Sequence, residues 1–259
     1  MSAAVVPPAA PRGFREECEM LAALETFDPE AFRGDDKVPQ AVCNFVLTLA
    51  LIYNDCKDAI YASVALAASK PEGPIQKTRV RGAFAGAQLH AFRAIVGLMH
   101  ELFGLIRAND EVLHHDFFVS LLQQVQPKSR EAWKALVDVA RGATPTDTFG
   151  KRLLLIRNKL FFHYDPKAIF IGYTEHFHGP RRHDERAYLS RGQSMRATRF
   201  FFADAAATGY LNSVMGSETV DALAQDLEEV VDSINYGLML IVGRFIQRRG
   251  YSFRTEAEA

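Results

Sequence analysis

Between residues 37 and 69 apolar side chains recur at steps of three and four: Val42, Phe45, Leu49, Ile52, Cys56, Ile60 and Val64. That spacing traces one face of an α-helix, which Pro71, Gly73 and Pro74 bring to an end. A second long helix is predicted over 76–108, with Val80, Phe84, Ile95, Leu98, Leu102 and Leu105 toward the core. Its interior holds Gly82, Gly86, Gly97 and Gly104. Each lowers helix propensity, so together they predict close approach of another backbone, in the core or across a subunit contact. Shorter helices are expected over 14–27, carrying Met20, Leu21, Leu24 and Phe27, and over 111–125 and 128–141, which meet at Pro127.

Thr146 or Asp147 can cap the next helix, which continues to Tyr164 and is closed by Asp165-Pro166. One more short helix is expected over 167–176. The texture then changes. Residues 187–190 and 196–204 are rich in Arg, Thr, Tyr and Phe, with Gly192 between them, and predict a β-hairpin. Ser217 caps a last long helix. Glu218, Asp221, Asp226, Glu228 and Glu229 lie in its first half and Arg244, Arg248 and Arg249 at its end, as the helix dipole favours. The fold class is therefore all-α: a bundle with two long helices, a motif helix, a long C-terminal helix and a small β-hairpin excursion. It reads as one domain, 14–250, with an insertion at 166–216 and flexible tails at 1–13 and 251–259.

Composition supports a folded chain. Of 259 residues, 48% are hydrophobic and 24% charged, within the globular range. Thirty Lys and Arg oppose 31 Asp and Glu, so bulk charge does not advertise nucleic acid or membrane. Cys18, Cys43 and Cys56 are odd in number and widely spaced, giving neither a disulfide framework nor a paired-Cys zinc signature. Asn54, Asp55, Lys57 and Asp58 interrupt the richest apolar run, and Arg93, His100 and Glu101 interrupt the next. No membrane span and no secretory signal are expected, and a cytoplasmic setting follows.

The candidate chemistry lies in Phe149 to Asp165. On a helical wheel Phe149, Leu153, Ile156 and Leu160 form the apolar stripe, and His163 falls on it. Arg157 lies on the opposite shoulder, roughly 120° from His163 and about 9 Å along the axis. Arg157, Asn158 and His163 place a polar trio where packing alone would prefer Leu. A purely structural role for them is an Arg157 ion pair to an acid such as Asp55 or Asp58, with His163 favoured by the helix C-terminus.

Arg157-Asn158 followed by His163 resembles the R-x(4–6)-H motif of HEPN domains, including the polar residue after the Arg. The segment from Ile156 to Asp165 is similar to the motif helix of bacterial toxin and abortive-infection members, and the long helices around it extend the likeness loosely over 36–249. The resemblance implies a metal-independent endoribonuclease that leaves a 2′,3′-cyclic phosphate. It implies a homodimer with facing motifs, no cofactor, RNA as substrate, and an antitoxin or regulatory protein as partner. Arg157, Asn158 and His163 would be its catalytic residues. The chemistry is consistent: attack by a 2′-OH needs a proton acceptor, a proton donor and positive charge at the phosphorus. A two-fold dimer supplies His163 and Arg157 twice in one cleft. Some family toxins carry a Tyr two positions after the His; here Tyr164 follows directly and position 165 is Asp. The alternative is a catalytically silent helical protein that binds RNA or a protein.

Lys167 to Arg199 holds seven basic and three acidic residues, in a chain of net charge −1. Lys159, Arg181, Arg182, Arg186, Arg191 and Arg196 are candidate RNA contacts, with Tyr188, Phe200, Phe201 and Phe202 available to stack on bases or to pack on the bundle. Glu111 with His114, Glu175 with His178, His114-His115-Asp116, and His176, His178 and His183 imitate metal-ligand spacings but lack the further carboxylates a bundle site needs, so no metal is expected.

Overall fold

The structure, a computed structural model, describes residues 21–22, 25–72, 78–142, 148–161, 164–179, 186–215 and 220–255. Its helices are α1 (Gln40–Ala68), α2 (Arg79–Ala108), α3 (Asp110–Leu113), α4 (Asp116–Gln123), α5 (Pro127–Ala140), α6 (Thr148–Ile156), α7 (Pro166–Phe177), α8 (Phe201–Met215) and α9 (Val220–Arg248). The all-α class expected from the periodicity is what forms.

The helix starts have local causes. Thr78 accepts a hydrogen bond from Arg81 N at 3.2 Å at the head of α2. Pro127 opens α5, where its missing N–H removes nothing from the helix. Gly142 and Gly250, at φ of 64° and 87°, turn the chain after α5 and α9 in a conformation other residues resist.

Around these elements the core is assembled from α1, α2, α5 and α9, with α6 closing it against α2. Phe45, Phe118 and Trp133 meet edge to face at its centre, with ring centroids 5.6 to 6.2 Å apart. The expected α1 stripe is buried from Val42 to Cys56 and then runs out of the core, leaving Val64 exposed. On α2 the buried face is Val96, Met99, Leu102, Phe103 and Ile106; Val80, expected inside, is exposed. By length and composition α2 could cross a membrane; in this fold its C-terminal half packs inside the bundle.

α7 and α8 pack closely, and Gly172 and Gly209 let the two backbones nearly touch. A methyl group on Gly172 would stand 2.0 Å from the Ala206 carbonyl oxygen, and one on Gly209 2.1 Å from that of Gly172.

Four expectations change. The hairpin is reduced to one bridge, in which Ser190 and Arg199 exchange two 2.8 Å backbone hydrogen bonds. Residues 201–204, read as strand, begin α8 instead: their aromatic, strand-like composition is overridden by packing of Phe201 on Gly82 of α2. Within 14–27, Glu25–Thr26 is a short strand (β1) paired antiparallel with Arg254–Thr255 (β2), so part of the segment read as a C-terminal tail is anchored to the fold. The segment 111–125 divides into α3 and α4, because His115 turns out of the helix and its ring nitrogen caps α4 at Phe117 N, 3.2 Å away.

Candidate functional site

Leu153, Ile156 and Leu160 are fully buried, as the stripe on the motif helix requires. Past Ile156 the helix widens: Arg157–Phe161 form a π-type turn. Such turns are often found at functional sites, and they leave backbone groups in need of new partners. One is supplied from α2, where Arg93 Nη1 donates to the Leu160 carbonyl at 2.9 Å.

The turn carries Arg157, Asn158 and Lys159. Arg157 Nη1 donates to Asn158 Oδ1 at 2.9 Å, and Arg157 Nη2 reaches Glu101 Oε1 of α2 at 3.0 Å. Thus the two motif residues expected to work together are in direct contact. The Arg157 side chain remains 26% exposed and that of Glu101 53%, so the pair sits at the surface seam of the two helices. The acid that holds Arg157 is neither Asp55 nor Asp58. Lys159 pairs instead with Asp165, whose Oδ1 accepts from Lys167 N at 2.9 Å and so caps α7. Their mutual hydrogen bond raises the Lys159 pKa and lowers that of Asp165. Asp165-Pro166 therefore closes the motif segment and opens the next helix in one step.

His163 lies outside the described residues, as do Arg181, Arg182 and His183. Arg186, Arg191 and Arg196 are exposed on the segment between α7 and α8. That segment is held against the first half of α2, where the Arg199–Asp204 ion pair (3.0 Å) lies over Gly86. Gly86 and Glu101 are fifteen residues apart on one helix, about 22 Å. The exposed arginines and Arg157 are thus associated with different stretches of α2. Of the aromatics in this region Phe201 packs on Gly82, while Tyr188 and Phe200 are exposed.

The periodicity did not reveal the residues around Arg157. Arg93, His100 and Glu101 stood out only as interruptions of an apolar run. Their spacing of seven and eight returns to the same helix face after two turns, which was the available signal. His100, half-buried next to Glu101, lines a cavity of about 200 Å³ with Phe103, Arg107, Lys151 and Leu154. Burial, then the Arg157 charge, lowers its pKa from the ordinary imidazole value.

His114 and His115 make local backbone contacts: His114 Nδ1 lies 2.8 Å from the Asp110 carbonyl oxygen, and His115 caps α4. Among the described residues no group of three metal-ligating side chains comes together.

The fold and the site define an all-α helical bundle in which an arginine and an asparagine on a π-type turn meet a glutamate of α2. Compared with known proteins, the chain matches no family model, no curated protein and no solved structure.

Proposed function

We propose that this chain is a metal-independent endoribonuclease of HEPN type that acts as a homodimer on RNA, in a phage-defence or toxin–antitoxin setting in the cytoplasm. The observation that carries the reading is the contact of Arg157 with Asn158 at 2.9 Å, on a widened turn six residues before His163 in the sequence. Leu154, Leu155 and Tyr164 are exposed on or beside the same segment, which favours pairing of two copies there. In the paired site one His163 takes the proton from a ribose 2′-OH. The freed 2′-oxygen bonds to phosphorus as the P–O5′ bond breaks, and the second His163 protonates the departing O5′. Arg157 from each copy balances the charge gathering on the phosphoryl oxygens. The products are a 2′,3′-cyclic phosphate and a 5′-hydroxyl.

Purified protein is expected to cut RNA in the presence of a chelator, and Arg157→Ala and His163→Ala are expected to lose that activity while remaining folded. Cleavage at the wild-type rate by both variants rejects the reading. A second reading is favoured by the Arg157–Glu101 ion pair, which already engages the guanidinium within its own chain. It is a silent helical dimer that binds RNA or a protein, and it predicts association without hydrolysis.

A further inference from the structure

A cavity of about 550 Å³ opens where the start of α2 meets α8 and the end of α7. Its size is that of a site for a small organic ligand. Two close contacts build its floor: the Phe201 ring lies on Gly82, and the Arg199–Asp204 ion pair lies on Gly86. Polar groups there are already engaged by the chain itself. Asp204 Oδ2 accepts from Arg199 Nε at 3.1 Å, and the Thr208 hydroxyl donates to the Asp204 carbonyl at 3.0 Å. The wall is otherwise largely apolar, with Phe84, Phe201 and Ala205 lining it. Tyr188 and Leu189 line it too, and the fold leaves them 41% and 55% exposed.

Positive charge gathers at one end of this lining. Arg81 donates to the carbonyls of Pro71 and Glu72 at 3.3 Å each, which holds the chain just after α1 against the head of α2. Lys70 and Arg79 are thereby brought to the same end, both exposed. Among the described residues neither has an acidic partner. The N-terminal end of α2 adds its own partial positive charge. One anionic group is called for there. The rest of the wall has its Asp204 and Thr208 bonds made, so it gives a second polar group little in return for its hydration, and it gains from an apolar chain that covers Tyr188 and Leu189. We propose that this cavity binds a free medium-chain fatty acid as its carboxylate, the chain lying along Phe84, Phe201 and Leu189 and the carboxylate at Arg79 and Lys70. The site stands independently of the nuclease reading, since its α2 residues end about 22 Å along the helix from Glu101.

The test is equilibrium dialysis of the full chain against radiolabelled decanoate at about pH 8, where the acid is ionised. Binding of one molecule per chain is expected, with a dissociation constant of about 10 μM. Octanoate should bind about tenfold more weakly, because two fewer methylene groups leave water. Octanol, which has the same chain length as octanoate and no charge, should be weaker than octanoate by at least about tenfold. Arg79→Ala should weaken decanoate about fivefold or more and leave octanol binding unchanged. Leu189→Ser should weaken both about threefold or more. Both residues are exposed, so these variants test the site without disturbing the core. The proposal is overturned if about 1 mM decanoate leaves the protein unoccupied, or if either variant binds decanoate as the parent does. It is equally overturned if octanol binds as tightly as octanoate, or decyltrimethylammonium as tightly as decanoate.

Discussion

Arg157 Nη2 stands 3.0 Å from Glu101 Oε1, joining the widened end of α6 to the C-terminal half of α2. The pair is partly solvated, so it contributes at most about 1 kcal/mol to stability. Its larger effect is on where the guanidinium points. On the proposed nuclease reading, Glu101→Gln is therefore expected to leave the unfolding midpoint nearly unchanged and to lower kcat for RNA cleavage about tenfold, with KM unchanged. Glu101→Asp should recover part of the loss. If instead Arg157 is only a strut, Arg157→Ala and Glu101→Gln will change stability alike and leave RNA cleavage or binding untouched.

The helical glycines are not interchangeable, and the geometry separates them. At Gly172 an added methyl group meets backbone, the Ala206 carbonyl oxygen at 2.0 Å and Tyr210 N at 2.5 Å. Neither can yield without separating α7 from α8. Gly172→Ala is expected to cost at least about 2 kcal/mol. Gly104 has nothing within 4 Å of the same position and lies inside α2. Gly104→Ala should stabilise by about 0.5–1 kcal/mol through helix propensity. Urea unfolding followed by the fluorescence of the single tryptophan, Trp133, which is 4% exposed, reads both changes.

These glycines also mark how far sequence reasoning reached. Periodicity located the long helices because a buried face repeats every three to four residues, and Leu153, Ile156 and Leu160 are buried as that repeat requires. Gly82 and Gly86 signalled a close approach, but the partners are the side chains of Phe201, Arg199 and Asp204 rather than a backbone. Nothing local distinguishes that arrangement, since it depends on a segment more than a hundred residues away. For the same reason Phe200–Phe202 looked like strand: ring-rich composition favours a sheet until a helix groove offers the rings a place. Arg157 and Asn158 were legible as a motif. Glu101 was not, because an ion pair between helices requires knowledge of their relative rotation.

Cys56 is buried in the α1 stripe, and burial pushes its thiol up to about 12. Cys43 is also fully buried and its pKa is raised for the same reason. Thiolate is the reactive form, so both should be inert in the folded protein. In a Cys18→Ser background, Ellman's reagent at about pH 8 is expected to label neither thiol in native protein and both in denaturant. Rapid labelling of Cys43 alone in native protein would show that the first turn of α1 opens under native conditions.

His100 provides a pH test of the seam beside Arg157. Burial and then Arg157 lower its pKa, Glu101 opposes them, and Arg107 adds to the lowering. Lys151 lines the same small cavity and is a further cation at its edge. In the folded chain the ring therefore stays neutral to a lower pH than in the unfolded chain, where it titrates near its ordinary value of about 6.5. As the pH falls through that value the unfolded state takes up the proton first. Stability is lost on acidification, starting near the unfolded pKa and ceasing once the depressed native pKa is passed. His100→Gln keeps a polar side chain but cannot titrate. The urea midpoint of the parent should thus drop further than that of the variant between about pH 7.5 and 5.5. Equal drops would mean that His100 gains its proton as readily in the folded chain as in the unfolded one, and that the Arg157 charge is screened from it by solvent.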